Sequence, residues 1–191
     1  MPDKQTFRNQ DLVLRVSPSV DPTVFDINKY EGFLDVLCSG REYQKEAIRA
    51  ALIYMLGSRY LNLQTLAEEN YYSNRVLQDR YATLEEFKRH LQMPDRLSYT
   101  VDLATGTGKS YVMYGIARIM LAEGAVDRVL VLCPSLTIED GLTEKFRFLS
   151  SEGVLKEMLP EEATFPNPSI IDGSESIVPG SICIENLRGG H

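Results

Sequence analysis

Five consecutive residues, Gly-Thr-Gly-Lys-Ser at 106–110, have the types and spacing of a phosphate-binding loop. A β-rich segment (97–103) precedes them, and an apolar stretch with helical spacing follows to about Ala122. The first N–H groups of a helix lack backbone partners and point outward. A glycine-rich loop in this place therefore predicts an anion site that the helix dipole reinforces.

The side chains of the loop specify which anion. Gly106 and Gly108 allow a close approach that a Cβ would block. Lys109 places a charge against the β- and γ-phosphates, and the Ser110 hydroxyl can coordinate Mg²⁺. The strict pattern has glycine where this chain has Leu103, so a glycine-rich turn with a solvated lysine is the alternative. The predicted site for ATP and Mg²⁺ comprises Thr105, Gly106, Thr107, Gly108, Lys109 and Ser110.

Composition excludes several other classes of protein. A formal charge of -7 argues against a chain that binds nucleic acid over its whole surface. The three cysteines, Cys38, Cys133 and Cys183, are far apart, and only His90 and His191 could assist them at a metal. A disulfide framework or a zinc site is therefore not expected. Without a signal sequence or an apolar run of membrane length, the expected compartment is the cytoplasm.

The elements that must position the loop follow the pattern of an α/β fold. From residue 97 the predicted order is strand, loop, helix, strand, helix, strand and strand, which indicates a largely parallel sheet. The apolar run 127–134 predicts a strand buried on both faces. Two short strands are predicted at 168–172 and 180–186. Strands near 98–103, 128–133 and 181–185 are expected in one sheet, mostly parallel, with the 109–122 helix packed on it.

Upstream of the loop the sequence is mainly helical. Residues 1–38 are interpreted as an N-terminal extension. Ser39 and Glu42 form a capping-box pattern that predicts a helix to about Leu56, and Thr83 with Glu86 forms a second one. The tyrosines of the polar stretch 58–96 favour a packed cluster over a platform for stacked bases. They are Tyr60, Tyr71, Tyr72 and Tyr81.

The stretch "LATGTGKS" (103–110) resembles motif I of superfamily 2 helicases and translocases, above all the motor subunits of type I and type III restriction enzymes. "REYQKEAI" (41–48) resembles the Q-motif region. "RVLVLCPSLTIEDGLTEKF" (128–146) resembles motif Ia, and "GSICIEN" (180–186) resembles the following strand region. The resemblance implies a P-loop RecA-like parallel sheet, with residues 39–191 as a partial first domain.

The resemblance also implies roles for single residues. Lys109 would be the catalytic lysine. Gln44 would read adenine, since an amide donates and accepts at once; a solvent-facing helix residue is the alternative. The start of the helix after the second strand would contact nucleic-acid backbone, although Ser135 and Thr137 could instead only cap that helix. The implied nucleic-acid residues are Pro134, Ser135, Leu136 and Thr137.

The sequence departs from the family in two places. The stretch between Gln44 and Lys109 is longer than usual, which predicts a helical insertion at about 58–96. No adjacent Asp-Glu pair follows an apolar run, and the nearest candidate, "SIIDGSE" (169–175) with Asp172 and Glu175, is interpreted as a loop. Motor activity needs an acid for Mg²⁺ and a carboxylate that orients water. The 191 residues are therefore expected to be inactive alone, as part of a longer protein.

The expected activity is ATP-dependent DNA translocation or remodelling, with RNA as the alternative nucleic acid. Further RecA-like domains and modification or specificity subunits are the implied partners, and no membrane is expected. A P-loop kinase acting on a small molecule is a competing class, but it needs an acceptor pocket and an arginine-rich lid that the sequence does not show. A non-catalytic nucleotide-binding module is a third class.

Overall fold

The computed structural model describes residues 14–91 and 96–187. The chain divides into two compact units, one comprising Met1–Phe25 and Ile53–Thr100 and the other Asp26–Leu52 and Val101–His191. The second, called the loop unit here, contains the predicted phosphate-binding loop. The described helices are α1 (Glu31–Cys38), α2 (Glu42–Leu56), α3 (Leu63–Ser73), α4 (Arg75–Arg80), α5 (Leu84–His90), α6 (Lys109–Ala122), α7 (Leu136–Ser151) and α8 (Gly153–Glu157).

A parallel sheet of three strands forms the centre of the loop unit. Strands β1 (Arg128–Cys133), β2 (Ser169–Asp172) and β3 (Ser181–Asn186) lie in the order β1-β3-β2. Both pairings are parallel, with Arg128 and Ser169 each opposite Ser181. Helix α7 packs against all three strands, and α6 against β1. The predicted α/β class, its parallel sheet and these three strands are confirmed.

Strand β1 differs from its prediction because it is not covered on both faces. It lies at an edge of the described sheet, and its side chains alternate between buried and exposed. Val131 and Cys133 are buried, whereas Leu130 and Leu132 are 54% and 53% exposed. An apolar run shows that a strand forms, but the packing of helices on each face decides which side chains are covered. The prediction of a strand buried on both faces was wrong.

The segment 97–103 also differs from its prediction. It contains β-forming residues, yet it forms no strand and no ladder with the described sheet. Tyr99 instead packs its ring edge against Tyr54, with 6.2 Å between the ring centroids. A strand exists only where a neighbour pairs with its backbone, and β-propensity cannot supply that neighbour. Motif I therefore follows an irregular segment here, not the predicted strand.

Helix α2 forms as predicted and ends at Leu56, but its predicted capping box does not form. Ser39 adopts the left-handed conformation (φ 49°) at the end of α1, and its backbone N–H donates to the carbonyl of Asp35. Its hydroxyl donates to the carbonyl of Val36. The Ser39 to Glu42 spacing thus marks the end of one helix instead of the start of the next.

The other unit contains α3, α4 and α5 around an aromatic cluster. The Thr83 hydroxyl accepts from the backbone N–H of Glu86, which confirms the second predicted cap. Tyr71 stacks on Phe87 with 5.9 Å between ring centroids. Of the four tyrosines predicted to pack, Tyr72 is exposed, and the buried ones are Tyr60, Tyr71 and Tyr81.

Candidate nucleotide-binding site

The phosphate-binding loop has the backbone conformation that its glycines predict. Gly106 and Gly108 adopt positive φ angles of 80° and 81°, which an L-residue rarely adopts. Gly108 is the N-cap of α6, so the outward N–H groups of the first turn belong to Lys109 and Ser110. Lys109 is exposed, and within the described residues no carboxylate pairs with it. The loop therefore offers backbone donors and one uncompensated positive charge.

A close helix contact brings α2 beside this loop. A Cβ at Gly115 would lie 2.7 Å from Cδ1 of Ile48 and 2.9 Å from Cδ2 of Leu37. Gly115 lies on α6, Ile48 on α2 and Leu37 on α1. A glycine at this crossing lets α6 approach both helices closely. The first turn of α2, which precedes Ile48, is thereby set against the loop that precedes α6.

A cluster of charges holds the first half of α2 against α1. The Lys45 ammonium lies 2.6 Å from Glu31 and 2.5 Å from Asp35, and Arg49 also pairs with Glu31. The Lys45 side chain is only 7% exposed, so its charge requires these partners. Hydrogen bonds from Lys45 and Arg49 lower the pKa of the Glu31 carboxyl below its ordinary value. The cluster therefore fixes the position of Lys45, which is the residue next to Gln44 in α2.

Gln44 lies against the loop itself. It is fully buried, and its Nε2 donates to the carbonyl oxygen of Thr107 over 2.6 Å. Its Oε1 is buried too and has no hydrogen-bond partner among the described residues. A solvent-facing Gln44, the alternative for this residue, is therefore wrong. A buried acceptor without a partner is costly, so Oε1 is a position where a donor from a ligand would be stabilised.

Tyr43 contacts the same loop atom, and the sequence interpretation does not include it. Its hydroxyl donates to the carbonyl oxygen of Thr107 over 2.9 Å, while the residue is 45% exposed. A tyrosine beside Gln44 in "REYQ" was the only sequence signal. That signal could not show that successive side chains of one helical turn converge on one atom, because helical neighbours normally point in different directions.

Ser110 can supply one ligand to a magnesium ion. It lies in the first turn of α6, is partly exposed and has no hydrogen-bond partner for its hydroxyl among the described residues. Residues 14–91 and 96–187 contain no group of three or more His, Cys, Asp or Glu side chains that could hold a metal.

The predicted nucleic-acid residues lie at the start of α7. Ser135 is its N-cap, and the hydroxyl accepts from the backbone N–H of Ile138 at 3.4 Å. The capping role proposed for Ser135 is therefore present. Pro134 and Thr137 are exposed, and Leu136 is 62% exposed. The structure brings the four residues together at one helix start, but no hydrogen bond joins them to the phosphate-binding loop within the described residues.

A groove of about 740 Å³ lies beside this helix, at the carboxyl ends of β2 and β3. Glu139 is 8% exposed and accepts a hydrogen bond from the side chain of Asn186. Five carboxylates and one guanidinium line the groove, which makes it strongly acidic. They are Glu139, Asp140, Glu144, Asp172, Glu185 and Arg147.

The stretch "SIIDGSE" is a strand followed by a turn: the strand predicted at 168–172 forms, and the loop interpretation holds only for the residues after Asp172. Asp172 is the last residue of β2. Its carboxylate accepts from both the backbone N–H and the hydroxyl of Ser174, which lowers its pKa. Glu175 pairs with Arg147 at 3.6 Å. No hydrogen bond or ion pair of the described residues joins either carboxylate to Lys109 or Ser110.

The loop, the helix that follows it and the parallel sheet define a P-loop nucleotide-binding domain of the RecA-like type. Comparison with family models agrees: the model of the type III restriction enzyme res subunit matches residues 37–178. The chain belongs to this family and contains a superfamily 2 helicase-like ATP-binding domain. No curated protein and no solved structure matches the chain.

The match covers Gln44, the loop and α7, and it ends between β2 and β3. None of the described helices has the length and apolar character needed to cross a membrane.

Proposed function

We propose that this chain is the ATP-binding part of a motor that couples ATP hydrolysis to translocation on DNA or to its remodelling. One observation carries the proposal. Two glycines with positive φ lead into α6, where Lys109 is exposed and unpaired by the described carboxylates, and Gln44 lies against the loop. Family membership supports the same activity.

In the proposed complex the loop amides and Lys109 bind the phosphates, and Ser110 contributes its hydroxyl to Mg²⁺. Oε1 of Gln44, the buried acceptor without a partner, accepts from the adenine N6 amine. Because Gln44 is fully buried, the base reaches Oε1 only after a small movement of α2 or the loop. Guanine presents a carbonyl in place of that amine and would repel Oε1. The arrangement predicts a preference for ATP over GTP.

We propose that DNA contacts the start of α7 through Pro134, Ser135, Leu136 and Thr137. The exposed N-terminal turn of a 16-residue helix supports this, since its N–H groups suit a phosphate. The acidic groove opposes it, because phosphates and carboxylates repel each other. DNA would therefore contact this turn without entering the groove. Further RecA-like domains and modification or specificity subunits are the proposed protein partners, and the buried free cysteines support a cytoplasmic protein.

Turnover requires a carboxylate near the phosphates that can orient water. No carboxylate of residues 14–91 or 96–187 forms a hydrogen bond or ion pair with Lys109 or Ser110. We therefore propose that the 191 residues bind ATP and do not hydrolyse it.

Titration of the purified chain with ATP and Mg²⁺ tests this function, with Lys109→Ala as the variant and Lys156→Ala as the control. Lys156 is an exposed lysine on α8, far along the chain from the loop. Loss of a charged hydrogen bond to phosphate should weaken binding by about ten- to a hundredfold in the first variant and leave the second unchanged. Equal losses in both variants, or no binding by the unmodified chain, would refute the proposal. If DNA stimulated phosphate release by the unmodified chain and Lys109→Ala abolished that release, the proposal that the chain does not hydrolyse ATP would be refuted.

A further inference from the structure

The carbonyl oxygen of Thr107 accepts two hydrogen bonds from adjacent residues of the α2 N-terminal region. The Tyr43 hydroxyl donates over 2.9 Å and Nε2 of Gln44 over 2.6 Å. Both donors come from one side, because both belong to α2. The oxygen is therefore held toward α2 by two independent side chains.

This contact determines the direction of another group in the loop. In a trans peptide the carbonyl and the next N–H point in opposite directions, and the described chain has no cis peptide bond. When the Thr107 oxygen points toward α2, the N–H of Gly108 points away from it. That N–H has no acceptor among the described residues. It is a free donor immediately before the first turn of α6.

The peptide between Thr107 and Gly108 is easy to turn over. Turning it over changes ψ of Thr107 and φ of Gly108, and Gly108, which has a φ of 81°, has few steric barriers to such a rotation because it carries no Cβ. If the peptide turned over, a carbonyl oxygen would replace an N–H as the group that faces a bound phosphate. A repulsive dipole would then replace an attractive one.

We propose that Tyr43 is a positioning residue of the nucleotide site: its hydroxyl holds the Thr107 carbonyl so that the Gly108 N–H faces the phosphates. The inference rests on the proposed function, in which this loop binds ATP. It also separates two roles on α2. Gln44 can turn its amide toward the base, and Tyr43 still anchors the loop when it does. Tyr43 acts through the peptide and does not touch the nucleotide.

The two roles predict different nucleotide selectivity. Tyr43→Phe keeps the ring and removes the hydroxyl. It should weaken ATP and GTP binding equally, by about three- to tenfold, the usual effect of one neutral hydrogen bond. Gln44→Ala should instead narrow the preference for ATP over GTP. Tyr72→Phe is the matched control, since Tyr72 is an exposed tyrosine of the other unit, and it should change neither affinity.

The experiment measures ATP and GTP affinity for the full chain and four variants, together with the amide ¹H–¹⁵N resonance of Gly108 without nucleotide. The fourth variant is Lys109→Ala, which reports on the proposed function itself. Tyr43→Phe should shift or broaden this resonance, and Tyr72→Phe should not. If the unmodified chain binds ATP and Lys109→Ala loses it, while Tyr43→Phe binds both nucleotides normally, the inference alone is overturned. A Tyr43→Phe loss confined to ATP also overturns it, because the hydroxyl would then act at the base. If the unmodified chain binds no nucleotide, the proposed function fails and the inference fails with it.

Discussion

The phosphate-binding loop and the acidic groove belong to the same unit and both expose polar groups, but the charges of those groups have opposite sign. At the loop the backbone provides the polar groups, through glycine conformations and the start of α6, and Lys109 adds a positive charge. At the groove the side chains dominate, with five carboxylates against one guanidinium. One region attracts an anion and the other repels it.

The difference shows that the two predicted ligand sites have unequal physical support. The loop has backbone donors, the Lys109 charge and the contact with α2, and all of them favour phosphate. At the start of α7, the negative groove repels the phosphates of the proposed DNA ligand. The backbone N–H donors that could offset this repulsion lie only in the first turn of the helix. Nucleotide binding should thus depend on geometry, and DNA binding on charge and ionic strength.

The largest expected effect comes from a substitution that distorts the backbone of the phosphate-binding loop. Gly108→Ala places a Cβ 2.5 Å from Nε2 of Gln44, at a φ of 81° that an L-residue adopts only with strain. The strain alone costs about 1–2 kcal/mol, so ATP affinity should fall by about thirtyfold or more once Gln44 is displaced as well. Isothermal titration calorimetry measures the loss.

The control for this prediction lies on the helix beside the groove. A Cβ at Gly141 of α7 meets no atom within 4 Å. Gly141→Ala should leave ATP affinity unchanged and stabilise the fold by up to about 1 kcal/mol through helix propensity. Normal ATP binding by Gly108→Ala would show that the loop adapts and that its conformation does not determine affinity.

The next effect concerns the charges that hold α2 beside the loop. The folded-state pKa of Glu31 is lowered from its ordinary value of 4.5 by Lys45 and Arg49. Its stabilisation is therefore present above that ordinary value and is lost as the pH falls through the lowered one. Glu31→Gln should reduce the free energy of unfolding by about 1 kcal/mol at pH 7, since the carboxylate is partly exposed.

Denaturant unfolding at a series of pH values checks this, and the difference between Glu31→Gln and the unmodified chain should disappear in acid. Glu157→Gln removes an exposed carboxylate of α8 and serves as control. A difference that stays constant down to pH 2 would mean that packing, not the ion cluster, explains the loss.

The smallest effect concerns the groove. Asp140 and Glu144 are exposed carboxylates on its wall. Replacing them together, as Asp140→Asn with Glu144→Gln, should tighten duplex DNA binding by about two- to fivefold at low salt, with ATP affinity unchanged. Fluorescence anisotropy at several salt concentrations measures it.

The control for the groove is the pair Glu157→Gln with Glu161→Gln, which makes the same change of net charge at exposed positions outside it. Equal tightening in both pairs would mean that DNA responds to total charge. The groove would then have no particular influence on where DNA binds.

The amino-acid sequence by itself was sufficient to predict the local features of the loop unit. The helix from Lys109 to Ala122, the strands β1, β2 and β3 and the helix α7 follow from spacing of apolar residues. The two glycines with positive φ follow from the loop motif. These features could be read from sequence because each depends on residues that are neighbours along the chain.

Other features depended on which segments meet in space. The same apolar composition predicted two covered faces for β1 and a strand at 97–103. Helices cover one face of β1, and no strand of residues 14–91 or 96–187 pairs with 97–103. The convergence of Tyr43 and Gln44 on the Thr107 carbonyl required α2 and α6 to approach at Gly115. The sequence specifies backbone conformation through local sterics. Burial, strand pairing and the direction of a buried side chain depend on residues that are distant in the chain. Only the tertiary structure brings these residues together.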